Sequence, residues 1–345
     1  MPLSFSDQTP LILVAGVLVV SALAILLAGS KLAGKADELA DATGWGEAIT
    51  GAVFLGAATS LPGIITSVTT AWEGYAELAI SNAVGGIAVQ TLFLAVADLT
   101  YRRTNLEHAA ASLSGMAQAA LLCAMLAVPL IAMAGPDLTV FHIHPATPIL
   151  IAGYIYGLNI IGKMRNEPMW APEIDQDTQT DEVEEGGDEP DVKGAGAGLW
   201  LAFAGLALIT GIAGYAVSRS AIVLAERTGL AEAAIGALIT AVITSLPELV
   251  TTIAAVRRGA LTLALGGIIG GNVFDTLFLA ISDTAFLEGS IYHAMTDKTV
   301  MGLSSTLLMT AVLILGLLRR QSKGIGFEGV TICLIYALYA VITLT

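Results

Sequence analysis

Thr244-Ser245-Leu246-Pro247-Glu248 stands in the middle of one apolar run, and Thr59-Ser60-Leu61-Pro62-Gly63 stands in another, 185 residues earlier. The same offset aligns Thr43-Gly44 with Thr228-Gly229, Glu47-Ala48 with Glu232-Ala233, and Gly51-Ala52 with Gly236-Ala237. It also aligns Gly85-Gly86 with Gly270-Gly271, Thr91-Leu92-Phe93-Leu94-Ala95 with Thr276-Leu277-Phe278-Leu279-Ala280, and Asp98 with Asp283. Over 43–98 against 228–283, 22 of 56 positions are identical without a gap. Chance similarity between apolar helices scatters Leu and Ala matches; it does not place two Thr-Ser-Leu-Pro blocks in register with two Gly-Gly pairs. The chain is an internal duplication.

The surroundings of these blocks are those of a membrane protein. Of 345 residues, 55% are hydrophobic and 13% charged, with a mean hydropathy of +0.79; soluble domains carry about a quarter charged residues. Apolar runs of roughly 18 residues or more are read as spanning helices. Ten are expected, near 9–30, 46–71, 75–99, 108–134, 146–163, 197–217, 229–256, 260–284, 298–318 and 325–344. The first lacks a basic leader and a small-x-small cleavage site and is read as a retained helix. The expected fold class is an all-α membrane protein, built from two inverted five-helix repeats with broken helices 2, 3, 7 and 8.

Three regions follow: an N-terminal half, 1–163, an acidic linker, 164–195, and a C-terminal half, 196–345. The formal charge of −14 comes mostly from the linker, where Glu173 to Asp191 holds ten acids and no base. Such a segment has almost nothing to bury and reads as a solvated tether. Cys123 and Cys333 both fall in apolar runs, where small buried hydrophobes are expected rather than a disulfide.

Orientation comes from the basic residues. If ten spans alternate with the N-terminus outside, one side receives twelve of the fifteen Lys and Arg residues, Arg102, Arg103, Arg257, Arg258, Arg319 and Arg320 among them. The other receives Arg219, Arg227 and Lys298. The first side is therefore expected to be cytoplasmic, with both termini outside and the linker inside, in a cell inner (plasma) membrane. An odd number of spans per half makes the second half cross in the opposite sense, an arrangement used by transporters for alternating access.

Proline within a helix removes one N–H donor and displaces the carbonyl four residues back. Pro62 should free the carbonyl of Ala58, and Pro247 that of Ile243. In lipid such breaks persist where protein, water or an ion meets the freed groups. Thr59, Ser60, Thr244 and Ser245 add hydroxyls beside them, and hard cations take oxygen ligands. The plain alternative is a structural kink with Ser and Thr bonded back to their own helix, which two copies in inverted register disfavour. Glu248 is a carboxylate in mid-span, where insertion costs roughly 2.5–3.5 kcal/mol; Asp275 is a second acid at similar depth. Each could instead be satisfied by a neighbouring helix. Asn82 offers an amide oxygen or a helix–helix hydrogen bond. Gly85, Gly86, Gly270 and Gly271 permit local unwinding or close packing. Asp98, Asp283, Glu47 and Glu232 lie near helix ends and read as caps. His142 and His144 have no third ligand in sequence, so no metal is expected there.

These blocks resemble the alpha-repeats of the sodium/calcium exchanger family, roughly G-T-S-x-P-E followed about 20 residues later by G-N-x-x-G-S-N-x-F-N. Here the second member of the pattern reads Gly266-Gly267-Ile268-Ile269-Gly270-Gly271-Asn272-Val273-Phe274-Asp275 in one repeat and Ser81-Asn82-Ala83-Val84-Gly85-Gly86-Ile87-Ala88-Val89-Gln90 in the other. The resemblance implies a cation antiporter with ligands from helices 2, 3, 7 and 8, the ion-contacting positions falling at Thr59, Ser60, Asn82, Thr244, Ser245 and Glu248. The chain departs from the pattern at Gly63, where the family has Glu, at Gly267, and at Gln90 and Asp275 in place of the last Asn. Fewer acids weaken the case for a divalent ion.

The expected function is secondary antiport by alternating access. Ca²⁺ or another cation would move against Na⁺ or H⁺ with Glu248 at the centre, and Glu248 and Asp275 as the metal-contacting acids. Partners are the lipid bilayer and small inorganic cations, with no nucleic acid and no cofactor beyond transported Na⁺, Ca²⁺ or H⁺. Alternatives are Na⁺/H⁺ exchange without Ca²⁺, a passive cation channel, and an ion-sensing homologue that binds without moving ions. No His-Glu-x-x-His or Gly-x-Ser-x-Gly motif supports an enzyme.

Overall fold

The structure is a computed structural model, and it describes residues 5, 8–43, 56–100, 105–110, 112–166, 196–321 and 325–345. Glu47, Arg102, Arg103 and nearly all of the acidic linker lie outside the described residues. Every named element is helical. In the first half these are α1 (Leu11–Ala24), continued through a π turn (Ile25–Gly29) into α2 (Ser30–Thr43), then α3 (Leu61–Trp72), α4 (Ala76–Thr100), the short α5 (Leu106–Ala109), α6 (Leu113–Ala134) and α7 (Ala146–Asn166). In the second half are α8 (Ala197–Thr228), α9 (Glu232–Ala234), continued through a π turn (Ile235–Thr240) into α10 (Ala241–Thr244), then α11 (Leu246–Arg258), α12 (Leu261–Asp275), α13 (Leu277–Ala285), α14 (Asp297–Arg319) and α15 (Phe327–Leu344).

Among the described residues, seven helices are long and apolar enough to cross a membrane, or eight if the bent pair Glu232–Thr244 and Leu246–Arg258 counts as one span. Ile12, Leu201, Leu208 and Leu334 are exposed on the outer surface, as lipid-facing side chains are. The deepest element is α4, whose Leu78, Ala79, Ile80, Ala83, Ile87 and Leu94 are wholly enclosed. Two helices outrun their expected ends. The first continues from 30 to Thr43, and α8 continues from 217 to Thr228. Their extensions carry charge, and Arg219 at that end of α8 pairs with Glu73 at 3.0 Å. A hydropathy reading ends where charge begins, whereas the helix continues while its backbone bonds are made. Cys123 and Cys333 are free and only partly buried.

Helix 3 is not broken, contrary to the sequence expectation: α4 runs from Ala76 to Thr100 through Gly85-Gly86. Those glycines serve contact instead. A Cβ on Gly85 would fall 2.5 Å from Ala237 Cα, and one on Gly86 would lie 3.7 Å from Ser245 Oγ. Helix 7 is bent by 48° at Ser245. Helix 8 is interrupted between Asp275 and Leu277.

Candidate functional site

The two Thr-Ser-Leu-Pro segments take the same local form. Ser60 has φ −83°, ψ 1° and Ser245 has φ −94°, ψ 7°, each just ahead of a new helix with proline at its start. A proline in the first turn loses no bond, because that N–H has no partner in any helix. The break therefore falls at Ser60 and Ser245, and their hydroxyls are released toward the interior.

Both serines meet residues of the opposite repeat. Ser60 Oγ donates to Asp275 Oδ1 at 2.6 Å. Gln90 Nε2 donates to Ser245 Oγ at 3.3 Å and to Asp275 Oδ2 at 2.7 Å. Since 60 + 185 = 245 and 90 + 185 = 275, the two serine contacts are counterparts, and the Gln90–Asp275 bond joins equivalent positions across the local axis. One pocket is lined by Ser60, Gly63, Asn82, Gly86, Gln90, Thr244, Ser245, Glu248, Asp275 and Phe278. Glu248 Oε2 and Gln90 Oε1 are buried without a hydrogen-bond partner. Unpaired buried acceptors are costly, and the cost falls when a cation or proton meets them.

Six of the seven expected cation-contacting residues thus line one pocket: Ser60, Asn82, Thr244, Ser245, Glu248 and Asp275. Thr59 does not join them; its hydroxyl turns back to Gly56 O at 3.1 Å. Asn82 is already engaged. Its amide nitrogen donates to Ser67 Oγ at 2.8 Å and Gly63 O at 3.3 Å, and its oxygen accepts from Thr240 Oγ1 at 2.7 Å. Gly270 and Gly271 face glutamines, Gln118 at 3.7 Å and Gln90 at 3.7 Å from the place of a Cβ. Among the described residues, no group of three or more His, Cys, Asp or Glu could hold a metal ion. The pocket's donors are two acids with neutral oxygens.

Gln90 and Phe278 were not expected in the site. The signal for Gln90 was its offset of 185 from Asp275. Phe278 has a steric role, because a Cβ on Gly63 would stand 2.7 Å from its Cε2. Gly29 and Gly214 are a further pair at that offset. A Cβ on Gly29 would lie 2.6 Å from Pro247 Cγ, and one on Gly214 would lie 2.7 Å from Pro62 O. Each repeat's proline is therefore covered by a glycine of the first helix of one half.

His144 does not gather a metal site. Its backbone N–H donates to Asp283 Oδ2 at 2.8 Å and its ring lies 5.4 Å from Tyr292.

Comparison with known proteins agrees with this geometry. A family model described as sodium/calcium exchanger protein matches residues 13–157 and 197–345. The protein provisionally named antiporter CaxA, from Alkalimonas amylolytica, is 27% identical over 277 residues, 80% of this chain and 82% of its own. Two solved structures share the fold. The sodium–calcium exchanger NCX_Mj matches with a TM-score of 0.60 at 18% identity, covering 97% of this chain and 100% of its own. The H⁺/Ca²⁺ exchanger CAX matches with a TM-score of 0.63 at 15% identity, covering 96% and 86%.

Proposed function

The chain belongs to the sodium/calcium exchanger family, a family of multi-pass membrane transporters rather than enzymes, and from that premise we propose that it is a secondary cation antiporter working by alternating access through the Glu248–Asp275 pocket. The observation that carries this reading is the convergence of Ser60 and Ser245, from two repeats, on one pocket with two acids and unpartnered acceptor oxygens. Serine hydroxyls, the oxygens of Asn82, Gln90 and Thr244, and the carbonyls at the ends of the broken helices suit a hard cation. Two carboxylates balance one divalent ion, two monovalent ions or two protons. The exchanged pair is Ca²⁺, or another cation, against Na⁺ or H⁺. The chain crosses the bilayer ten times as two inverted halves, 1–163 and 196–345, with both termini outside and the linker in the cytoplasm.

A second reading has a specific observation behind it. Gly63 stands where the family pattern has Glu, and Phe278 fills the space beside it. With only Glu248 and Asp275 as acids, Na⁺/H⁺ exchange without Ca²⁺ fits the lower charge of the site.

Flux in proteoliposomes tests both. Na⁺ and pH gradients are imposed separately while Ca²⁺, Na⁺ and H⁺ are followed. Antiport gives Ca²⁺ movement only with an opposing Na⁺ or pH gradient, and Glu248→Gln abolishes it in a protein that still folds. Na⁺-driven proton movement with no Ca²⁺ flux selects the second reading. Steady flux that needs no counter-ion, or full flux in the Gln variant, overturns the mechanism.

A further inference from the structure

Asp98 and Asp283 are repeat counterparts with the same local role, each accepting from the backbone N–H eight residues on. Leu106 N donates to Asp98 Oδ1 at 2.6 Å and Ile291 N to Asp283 Oδ1 at 3.0 Å. Their surroundings differ. Asp283 is saturated by neutral donors, His144 N at 2.8 Å and Thr147 Oγ1 at 2.6 Å. Asp98 lies among two further acids, Glu107 of α5 and Glu328 of α15, and the three are 5%, 1% and 1% exposed.

Asn105 Nδ2 bridges Glu328 Oε1 at 2.9 Å and Asp98 Oδ2 at 3.5 Å. One oxygen of Glu107 and one of Glu328 are buried with no hydrogen-bond partner. The fold makes room for Glu328, since a Cβ on Gly316 would fall 2.4 Å from its Cγ and one on Gly326 would fall 1.7 Å from its Oε1. The nearby bases face elsewhere in their recorded contacts. Arg320 Nη2 donates to His108 O at 3.1 Å, His108 Nδ1 meets Arg320 O at 2.8 Å, and Arg319 lies 5.4 Å over the Phe327 ring. Arg258 Nε, at the end of α11, donates to Ala254 O at 3.2 Å. Arg102 and Arg103 lie between Asp98 and Glu107 in sequence, outside the described residues. Among the described residues, Asp98, Glu107 and Glu328 make no ion pair, and no acid cluster has the arrangement to hold a metal ion.

We propose that Asp98, Glu107 and Glu328 form a proton-binding site, separate from the Glu248 pocket, whose bound proton ties α5 to the α14–α15 hairpin. Three enclosed carboxylates without a cation repel one another and have lost their water. A proton turns one unpartnered oxygen into a donor toward a neighbouring acid and removes one charge. Burial, and next the charges of Asp98 and Glu328, push Glu107 up to about 8 from the ordinary 4.5. Folded chains then hold this proton where unfolded chains have released it. Stability contributed by the site is full at low pH, declines as pH rises from the ordinary glutamate range toward 8, and is gone above it. This site lies at the end of the bundle that carries Arg319 and Arg320, so its proton reports the pH of that compartment alone.

The test uses the full chain in lipid nanodiscs and reads no transport, so its outcome is independent of the antiport reading. Thermal unfolding of the wild type should shift to lower temperature between about pH 5 and about pH 9. Glu107→Gln, a fixed mimic of the protonated acid, should lose much of that shift and melt higher than the wild type at the alkaline end. Infrared difference spectra should show a protonated-carboxyl band at neutral pH in the wild type that Glu107→Gln and Glu328→Gln each diminish. An unchanged pH shift together with an unchanged band in both variants overturns the proposal. If a Gln variant fails to fold, the band's loss as the wild type is titrated through about pH 8 is the deciding measurement, and a band that does not titrate there overturns it.

Discussion

Glu248 and Gly63 hold equivalent positions in the two repeats, and the difference between them sets the charge of the pocket. Phe278 explains why position 63 carries no side chain: its ring edge stands 2.7 Å from where a Cβ would begin, and the ring is itself packed edge-on against Phe274 at 6.4 Å. Forcing atoms into such a site costs about 1–3 kcal/mol. Gly63→Glu should therefore lower the thermal midpoint of the purified protein, and adding Phe278→Ala should recover part of that loss. Equal midpoints for the single and double variants would show that Phe278 is not the obstacle. The repeat reading predicts Gln90 and Asp275 as counterparts, but only their 2.7 Å bond makes Gln90 part of the site. Thr59 shows the reverse, a residue placed in the site by pattern whose hydroxyl is spent on Gly56.

Among elements, the contacts between the first helix of each half and the opposite repeat's break are the tightest. Gly29 leans on the Pro247 ring and Gly214 on the Pro62 backbone. A ring can shift by tenths of an ångström, whereas a backbone carbonyl fixed in a helix start shifts with its whole element. Gly214→Ala should then destabilise by about 1–3 kcal/mol and more than Gly29→Ala. Gly16→Ala, with nothing within 4 Å of its Cβ, should be neutral or slightly stabilising. A melting series that ranks these three otherwise would remove the argument. The unbroken α4 belongs to this scale too. Gly85-Gly86 reads in sequence as either a hinge or a contact, and the 2.5 Å approach of Ala237 selects contact.

For the whole molecule, the distribution of Lys and Arg predicts which compartment each end faces. The linker, 173–191 at its most acidic, should be cut by added protease in inverted vesicles and protected in right-side-out ones; the opposite pattern would invert the topology. The sequence by itself determined the helical membrane class, the duplication at 185 residues, the family and most of the pocket's residue types. Those follow from local and periodic chemistry: apolar length, proline in an apolar run, and acids that lipid does not tolerate without a purpose. Only the tertiary structure decided which hydroxyls turn inward, that Gln90 meets Asp275, that Phe278 fills the place of a missing acid, and that Asp98 joins Glu107 and Glu328 while its counterpart Asp283 is neutralised by backbone and threonine donors. Each depends on contacts between residues more than 130 positions apart, or on rotamers that a one-dimensional pattern does not encode.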